Sequence, residues 1–455
     1  MRAREEWLSG WAGRPVARTS VLRPEHRVEV RGALQEARRL GDVVARGRGT
    51  AYGDAAINDG GAVLATERLG RFLAFDQAGG LLTCEAGVTI RDVVEFGLPR
   101  GFFPAVTPGT WKSTVGGCFA CDVHGKNHHR VGSFAQHVVA FTLLRADGSV
   151  VTCSPERDPS LFWATAGGLG LTGVILDLTI RLRRVETSAV WVRYRKLPDL
   201  DGTFAALEDD ADEPYSVAWV DVLTRGRGLG RSVLMLGEHA RAADLPRAWR
   251  ERPLSLPPRR ALRLPFAPPS GLLSARTLRW FNAIYFRRFP DHLQPALQGL
   301  RPYFYPLEAI DNFNRLYGRR GFIQYQIVLP GRTAPSTTRE LLELLSANGY
   351  GSFLAVIKRL GPGNPAPMSF PLAGYTVAVD IPVRDERLFE VLRSLDERVT
   401  ENGGRVYLVK DSRLDPRFVD SMYPRRREWA ALLDALDPAR AFSSGLARRL
   451  HLRAR

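Results

Sequence analysis

Apolar residues recur along this chain with two periods, and the places where the period changes mark its parts. GALQEARRL has the spacing of a helix face. It runs into the short apolar stretch Val43-Val44-Ala45, which enters a glycine-rich turn from Arg46 to Asp54, giving the order helix, strand, glycine loop. From Leu81 to Val94, LLTCEAGVTIRDVV predicts a strand, a turn at Gly87 and a helix capped by Thr89. HVVAFTLLRADGSVVTC predicts two strands joined at Asp147-Gly148, a hairpin dipeptide. LFWATAGGLGLTGVILDLTIRL then reads as a helix end, a glycine turn and a strand.

After about residue 186 the texture changes. WVRYRKL, SVAWVDVLT and RSVLMLGEH have the look of strands in a second sheet, followed by FIQYQIVLP, SFLAVIKRL and YTVAVDIPV, with an amphipathic helix in RELLELLSANG. Residues 241–290 are rich in Pro and Arg, which predicts a long mobile surface loop, or a loop with short helices. The tail from about 405, RVYLVKDSRL and then helical REWAALLDAL, is expected to close back on the first part. A chain of 455 residues is too long for one core, so two domains or one domain with a large insertion follow.

Composition, 45% hydrophobic and 25% charged, is that of a globular protein. No stretch reaches the roughly 18 apolar residues of a spanning helix, LGLTGVILDLTI being short and broken by Asp177. MRAREEWLSGW lacks the apolar core of a signal peptide, so secretory export is not expected; a cytoplasmic or peripheral membrane location is. The net charge of +16 points to an anionic partner, whether nucleic acid, acidic lipid or phosphorylated substrate, or to a general arginine bias. That bias makes the lysines informative. They stand only at 112, 126, 196, 358 and 410, and a lysine among arginines marks a place for a compact ammonium or a removable proton. Of the four cysteines, Cys118 and Cys121 have redox spacing, but no second pair completes a zinc site, and buried thiols are expected.

Three segments carry candidate chemistry. Arg46 to Asp54, Val106 to Gly117 and Gly167 to Gly173 are glycine loops able to present backbone N–H groups to an anion, and one large anionic cofactor could require them all. The first is neither a Walker loop nor a dinucleotide fingerprint. CDVHGKNHHRVGSF (121–134) concentrates three histidines and a lysine. His124 and His128 are four apart, as in zinc helices, but Gly125 and Asn127 argue against a helix and no further ligand can be named, so no metal is expected. A histidine and a lysine lining a cofactor pocket is the better reading, with His128 and His129 securing the loop.

In their order ARGxGxxYGD, TPGT…TVGG…CDVHGKNHH…GSF and LFWATxGGxGLTG resemble flavoproteins of the vanillyl-alcohol-oxidase type, with a PCMH-type FAD-binding module. GFIQYQIVLP, FLAVIKRLGPGNPAPMSFPLAGY and RVYLVKDSR are similar, more narrowly, to the decaprenylphosphoryl-β-D-ribose 2'-oxidase family, over nearly the whole chain. The resemblance implies an α+β fold: a two-subdomain FAD-binding domain (1–188), an inserted substrate-binding cap on an antiparallel sheet (189–404) and a C-terminal return to the first domain (405–455). It implies FAD held by Ala45, Arg46, Gly47, Arg48, Gly49, Thr50, Ala51, Tyr52, Gly53, Asp54 and Ala55 around the diphosphate. Gly109, Thr114, Val115, Gly116, Gly117, Cys121, Asp122, Val123 and His124 would continue along the flavin, and Ile175 and Tyr407 would close the pocket. Relatives with covalent flavin often carry histidine in the first loop; here Thr50 stands, so FAD is expected to be non-covalent.

On the substrate side the resemblance implies Lys126, Gln324, Gln326, Lys358, Ala378 and Lys410, with Lys410 or His124 as the catalytic base. Three of the five lysines fall on these positions. Oxidation of a secondary alcohol needs a base within about 3 Å of the hydroxyl, and a desolvated lysine serves. Where family members commonly carry cysteine this chain has Ala378, so no thiol there is required for turnover and cysteine-trapping agents should fail.

The implied reaction takes the 2'-hydroxyl of a polyprenylphosphoryl-β-D-ribose to a ketone. It is the first half of epimerisation to the arabinose donor of cell-wall arabinan. A keto-sugar reductase would complete it, with the electron acceptor left open. Basic residues interleaved with aromatic ones in 241–290 suit either an anionic membrane surface, each contributing about 1 kcal/mol, or a merely solvated basic loop, and a cell-envelope placement accords with the resemblance. The rivals are an aldonolactone oxidase acting on a small sugar, a flavin-binding protein without turnover, and a nucleic-acid-binding protein, for which no recognition module is present.

Overall fold

In the computed structural model, which describes residues 2–257, 261–263, 273–289 and 294–453, the strand order and the side-chain alternation together place the site. The first sheet runs Arg4–Ser9, Val16–Leu22, Ala62–Ala65, Val43–Arg46, antiparallel in its first pair and parallel thereafter. Helix Arg27–Leu40 makes the crossover between parallel strands, burying Val30, Ala33, Leu34 and Ala37 against Val43, Ala62 and Leu64.

A second, antiparallel sheet is ordered Phe72–Asp76, Leu81–Glu85, Val174–Arg184, Val138–Leu144, Val150–Cys153, with Phe102–Pro104 paired to the central strand. The expected local signals operate here. Thr89 accepts from Asp92 N and Asp92 accepts from Thr89 N, the reciprocal cap of helix Ile90–Gly97. At the hairpin, Asp147 Oδ1 accepts from Ser149 N at 2.9 Å while Gly148 takes φ +84°.

The third sheet is antiparallel throughout, in the order Ala296–Gly299, Ala189–Leu197, Ser232–His239, Tyr215–Val220, Ala355–Leu360, Gly374–Pro382, Phe322–Pro330, Arg405–Val406. Strand periodicity divides it cleanly. Ile323, Tyr325 and Ile327, with Val377, Val379 and Ile381, pack under helices Leu200–Asp209, Ala334–Ala347 and Arg387–Glu401. The intervening Gln324, Gln326, Ala378 and Asp380 face a cleft on the other side.

One expectation changes. The 241–290 stretch contains a four-turn helix, Ala275–Arg288, fixed to the third sheet where Asn282 Nδ2 donates to Asp221 Oδ1 at 2.8 Å and to the Ser352 carbonyl at 3.1 Å. The parts of the expected mobile loop at 258–260, 264–272 and 290 lie outside the described residues. RVYLVKDSRL forms a strand only at Arg405–Val406 and then turns, Lys410 N donating to the Tyr407 carbonyl at 2.9 Å. The end of the chain lies on the first sheet: Val43 N donates to the Ala441 carbonyl at 2.7 Å, and Arg449 pairs with Asp54 at 2.8 Å and Asp411 at 2.9 Å.

Candidate active site

Strand Val43–Arg46 ends at the cleft, and the loop that follows lines it from Ala45 to Tyr52 and at Ala55. Among the described residues, the backbone N–H groups of Gly47, Arg48, Gly49, Thr50 and Ala51 have no hydrogen-bond acceptor. Five consecutive unpaired donors form a nest suited to a phosphate group. Close packing demands the glycines. A Cβ on Gly47 would lie 2.2 Å from Thr114 Oγ1, and one on Gly49, where φ is +66°, would meet the Arg46 guanidinium at 2.0 Å. Arg46 itself braces the loop, donating to the carbonyls of Ala56 and Ser9 at 2.9 Å each. Thr50 Oγ1 and Ser113 Oγ are hydrogen-bonded at 2.9 Å, tying the first loop to the second.

The second loop enters helix Val115–Ala120, whose N-cap Thr114 accepts from Gly117 N at 3.2 Å. Gly109, Thr114, Gly116 and Gly117 line the cleft, as do Cys121, Val123 and His124 from the next segment and Ile175 from the central strand of the second sheet. Tyr407 closes one end, its hydroxyl donating to the Cys121 carbonyl at 2.8 Å and its ring stacked on Phe370 at 4.4 Å. Such a set of free amides, small residues and aromatic walls fits a flavin dinucleotide.

Four residues of the implied cofactor set lie outside this lining. Gly53 packs on the Asp411 carbonyl, and Asp54 is engaged by Arg449. The Val115 side chain belongs to the hydrophobic core beneath. Asp122, with φ +39°, accepts from Ser369 Oγ at 2.5 Å, Asn364 Nδ2 at 2.6 Å and Ala135 N at 3.1 Å, so its carboxylate anchors the histidine loop.

The third sheet supplies the opposite wall. Strand pairing sets Gln326 opposite Ala378 and Gln324 opposite Asp380, while Lys358 comes from the adjoining strand. Gln326 Nε2 donates to His124 Nε2 at 3.1 Å and to Thr376 Oγ1 at 3.2 Å, which puts the imidazole proton on Nδ1, an atom without a partner. Burial, with Lys358, His128 and Lys410 nearby, holds His124 well below the usual histidine range, so it is neutral. Lys126 donates to the Tyr303 carbonyl and lies 4.1 Å from the centre of that ring. Burial and then Lys358 lower its ammonium to about 7. Burial alone lowers Lys358 to about 8. Lys410 Nζ sits 3.6 Å from the centre of the Tyr52 ring and is drawn down by desolvation, which Asp380 opposes.

His128 and His129 do other work: Gly361 N donates to His128 Nδ1 at 3.1 Å, and His129 Nε2 bonds the Glu213 carbonyl at 2.8 Å. Among the described residues no three His, Cys, Asp or Glu side chains gather as metal ligands. All four cysteines are free thiols, and burial raises Cys121 to about 12. Asp380 and the Tyr52 ring face beneath Lys410 escaped the sequence reading. The one available signal was an acid two residues beyond Ala378 on the same strand face.

The FAD binding domain family matches residues 19–154, which hold the unpaired loop and the Thr114 turn. With that match, the chain is an FAD-dependent oxidoreductase. The chain is 38% identical, over 98% of its length and 97% of the relative's, to decaprenylphosphoryl-β-D-ribose oxidase of Mycolicibacterium smegmatis. It therefore belongs to the decaprenylphosphoryl-β-D-ribose oxidase family. An uncharacterized protein of Streptomyces coelicolor is 37% identical over 80% of this chain and 100% of its own. The L-gulonolactone oxidase of Mus musculus is 34% identical over 38% of this chain and 40% of its own.

Proposed function

We propose that this enzyme oxidises the 2'-hydroxyl of a polyprenylphosphoryl-β-D-ribose to the 2'-keto sugar, with FAD bound non-covalently. The observation that carries the reading is the convergence of Lys126, Lys358 and Lys410 on one cleft beside the flavin-type loop. The desolvated ammonium groups of Lys126 and Lys358 repel one another, and the anionic phosphodiester relieves that repulsion where a neutral sugar does not. FAD, when bound, supplies the two-electron acceptor for the carbinol carbon. Lys410 removes the hydroxyl proton, since burial leaves a share of its amine neutral near pH 7. His124, whose Nε2 lone pair is taken by Gln326, orients the substrate through its free Nδ1–H. Gln324, Lys126 and Lys358 bind the sugar phosphate, with Ala378 leaving space beside them.

On this reading residues 1–188 and 405–455 bind FAD, and 189–404 form the substrate-binding insert. Helix Ala275–Arg288 docks on an anionic membrane surface, because Trp280, Phe281 and Ile284 are exposed on it among Arg276, Arg279, Arg287 and Arg288. No helix among the described residues is long and apolar enough to cross a membrane. A keto-sugar reductase would complete epimerisation. The partial likeness to L-gulonolactone oxidase supports a second reading, an aldonolactone oxidase, but Lys126 and Lys358 have no anion to bind on a neutral lactone. Lys410→Ala tests the mechanism: it should keep its FAD, released by acid or heat, and lose flavin reduction by the lipid-linked ribose. Undiminished reduction removes Lys410 from the reaction.

A further inference from the structure

The cleft contains one carboxylate with no part in the reaction as proposed. Asp380 has 0% exposure and lies on the cleft side of strand Gly374–Pro382. Gln324 Nε2, directly across the strand pair, donates to its Oδ1 at 2.5 Å, and the Tyr317 hydroxyl donates to Oδ2 at 3.2 Å. Tyr317 stacks on Phe322 at 4.0 Å, and Phe322 meets the edge of Tyr52 at 5.5 Å. The far face of this aromatic box is the Tyr52 ring that carries Lys410. One side chain from the paired strand and one from the Phe313–Tyr317 turn thus fix a carboxylate in an enclosure shared with the base.

The charges around the two groups decide what the carboxylate does. Lys410 is faced by Asp380, Lys358, Cys121 and His124 and by the Tyr52 ring; Asp380 is faced by Lys410, Tyr52 and Tyr317. Burial and Lys358 both oppose a charged Lys410. Against them stands Asp380, which burial raises to about 7 and which Gln324, Lys410 and Tyr317 draw back toward its charged form; the Cys121 thiol, raised to about 12, is uncharged at neutral pH. We infer that Asp380 is a positioning residue, the counter-ion that sets the protonation state of Lys410, and that Gln324 and Tyr317 hold its carboxylate for this purpose. Without it the ammonium formed when Lys410 takes the hydroxyl proton would be left among like charges in a desolvated site. The proton lost by the substrate oxygen is the one gained by Nζ, and Asp380 offsets the charge so created. This rests on Lys410 being the base, as proposed above.

The test uses the FAD-loaded enzyme and two readouts. The first is the pH dependence of Lys410 acetylation by acetic anhydride, followed by peptide mass spectrometry, which needs no turnover. Asp380→Asn should move its midpoint down by roughly one pH unit or more, the shift a lost neighbouring charge produces. Tyr317→Phe, which keeps the stack on Phe322, should move it the same way by less, and Asp380→Glu should restore it. The second readout is the acid limb of kcat/KM for flavin reduction, expected to move with the first. An unmoved acetylation midpoint in Asp380→Asn and Tyr317→Phe overturns the inference; if Asp380→Asn loses its FAD, Tyr317→Phe decides alone. A moved midpoint with a stationary acid limb leaves the counter-ion assignment standing and removes Lys410 as the base.

Discussion

Gly47→Ala probes the cofactor loop most sharply. The new Cβ would lie 2.2 Å from Thr114 Oγ1, about 1 Å closer than such atoms approach, and 3.1 Å from Thr114 Cγ2. Relief comes in one of two ways. Thr114 can rotate, giving up its cap on Gly117 N at a cost of about 1 kcal/mol to the fold. Alternatively the loop Gly47–Ala51 retreats by about 1 Å and takes its unpaired N–H groups out of reach of the diphosphate. One charge-assisted hydrogen bond lost is about 1.5–3 kcal/mol, so FAD should bind roughly ten- to a hundredfold more weakly. Titration of the apoprotein with FAD, followed by quenching of flavin fluorescence, measures it. Gly32→Ala is the control: this exposed helix glycine has nothing within 4 Å of a Cβ, and the change should stabilise by about 0.5–1 kcal/mol with FAD affinity unmoved. A folded Gly47→Ala protein with both wild-type FAD affinity and wild-type stability, which excludes relief by rotation of Thr114, would refute the assignment of this loop to the diphosphate.

Other consequences are equally direct. Because Lys358 is lowered to about 8, its positive charge fades as pH rises through that value, so KM for a phosphosugar should climb above pH 8 while that for a neutral lactone stays flat; a climb that survives in Lys358→Met would assign it elsewhere. The wild-type enzyme should resist thiol-trapping inhibitors, since Ala378 offers no sulfur and Cys121 is held as a thiol, and Ala378→Cys should become sensitive; inactivation of both alike by labelling in the cleft would contradict this. Asp396→Ala strands the buried Arg413, which donates to that carboxylate at 2.5 and 2.6 Å, and should cost about 3–5 kcal/mol in denaturant unfolding. A loss below about 1 kcal/mol would show that Asp411 compensates.

Local chemistry was the legible part of this sequence. The Thr89 cap and the Asp147-Gly148 turn are written in adjacent residues, and the strands of the third sheet in their alternation. Lys126, Lys358 and Lys410 stood out because arginine fills nearly every other basic position. What was hidden depends on register. Gln324 and Asp380 are 56 residues apart in sequence and meet only because their strands pair in one alignment. Helix Ala275–Arg288 was hidden for another reason: its apolar residues, Leu278, Trp280, Phe281, Ile284, Tyr285 and Phe286, surround the axis instead of forming one stripe. Asp54 and Asp122 sit within cofactor-type motifs, yet their carboxylates are spent on Arg449 and on the Ser369 and Asn364 pair, partners distant in sequence.

The central claim is that this cleft oxidises a lipid-linked phosphosugar on FAD. Anaerobic bleaching of the bound flavin, monitored by its visible absorbance, compares a polyprenylphosphoryl-β-D-ribose with aldonolactones on the same protein. The account predicts rapid bleaching by the phosphoribose and little by the lactones. Bleaching by a lactone with none by the phosphoribose would contradict it.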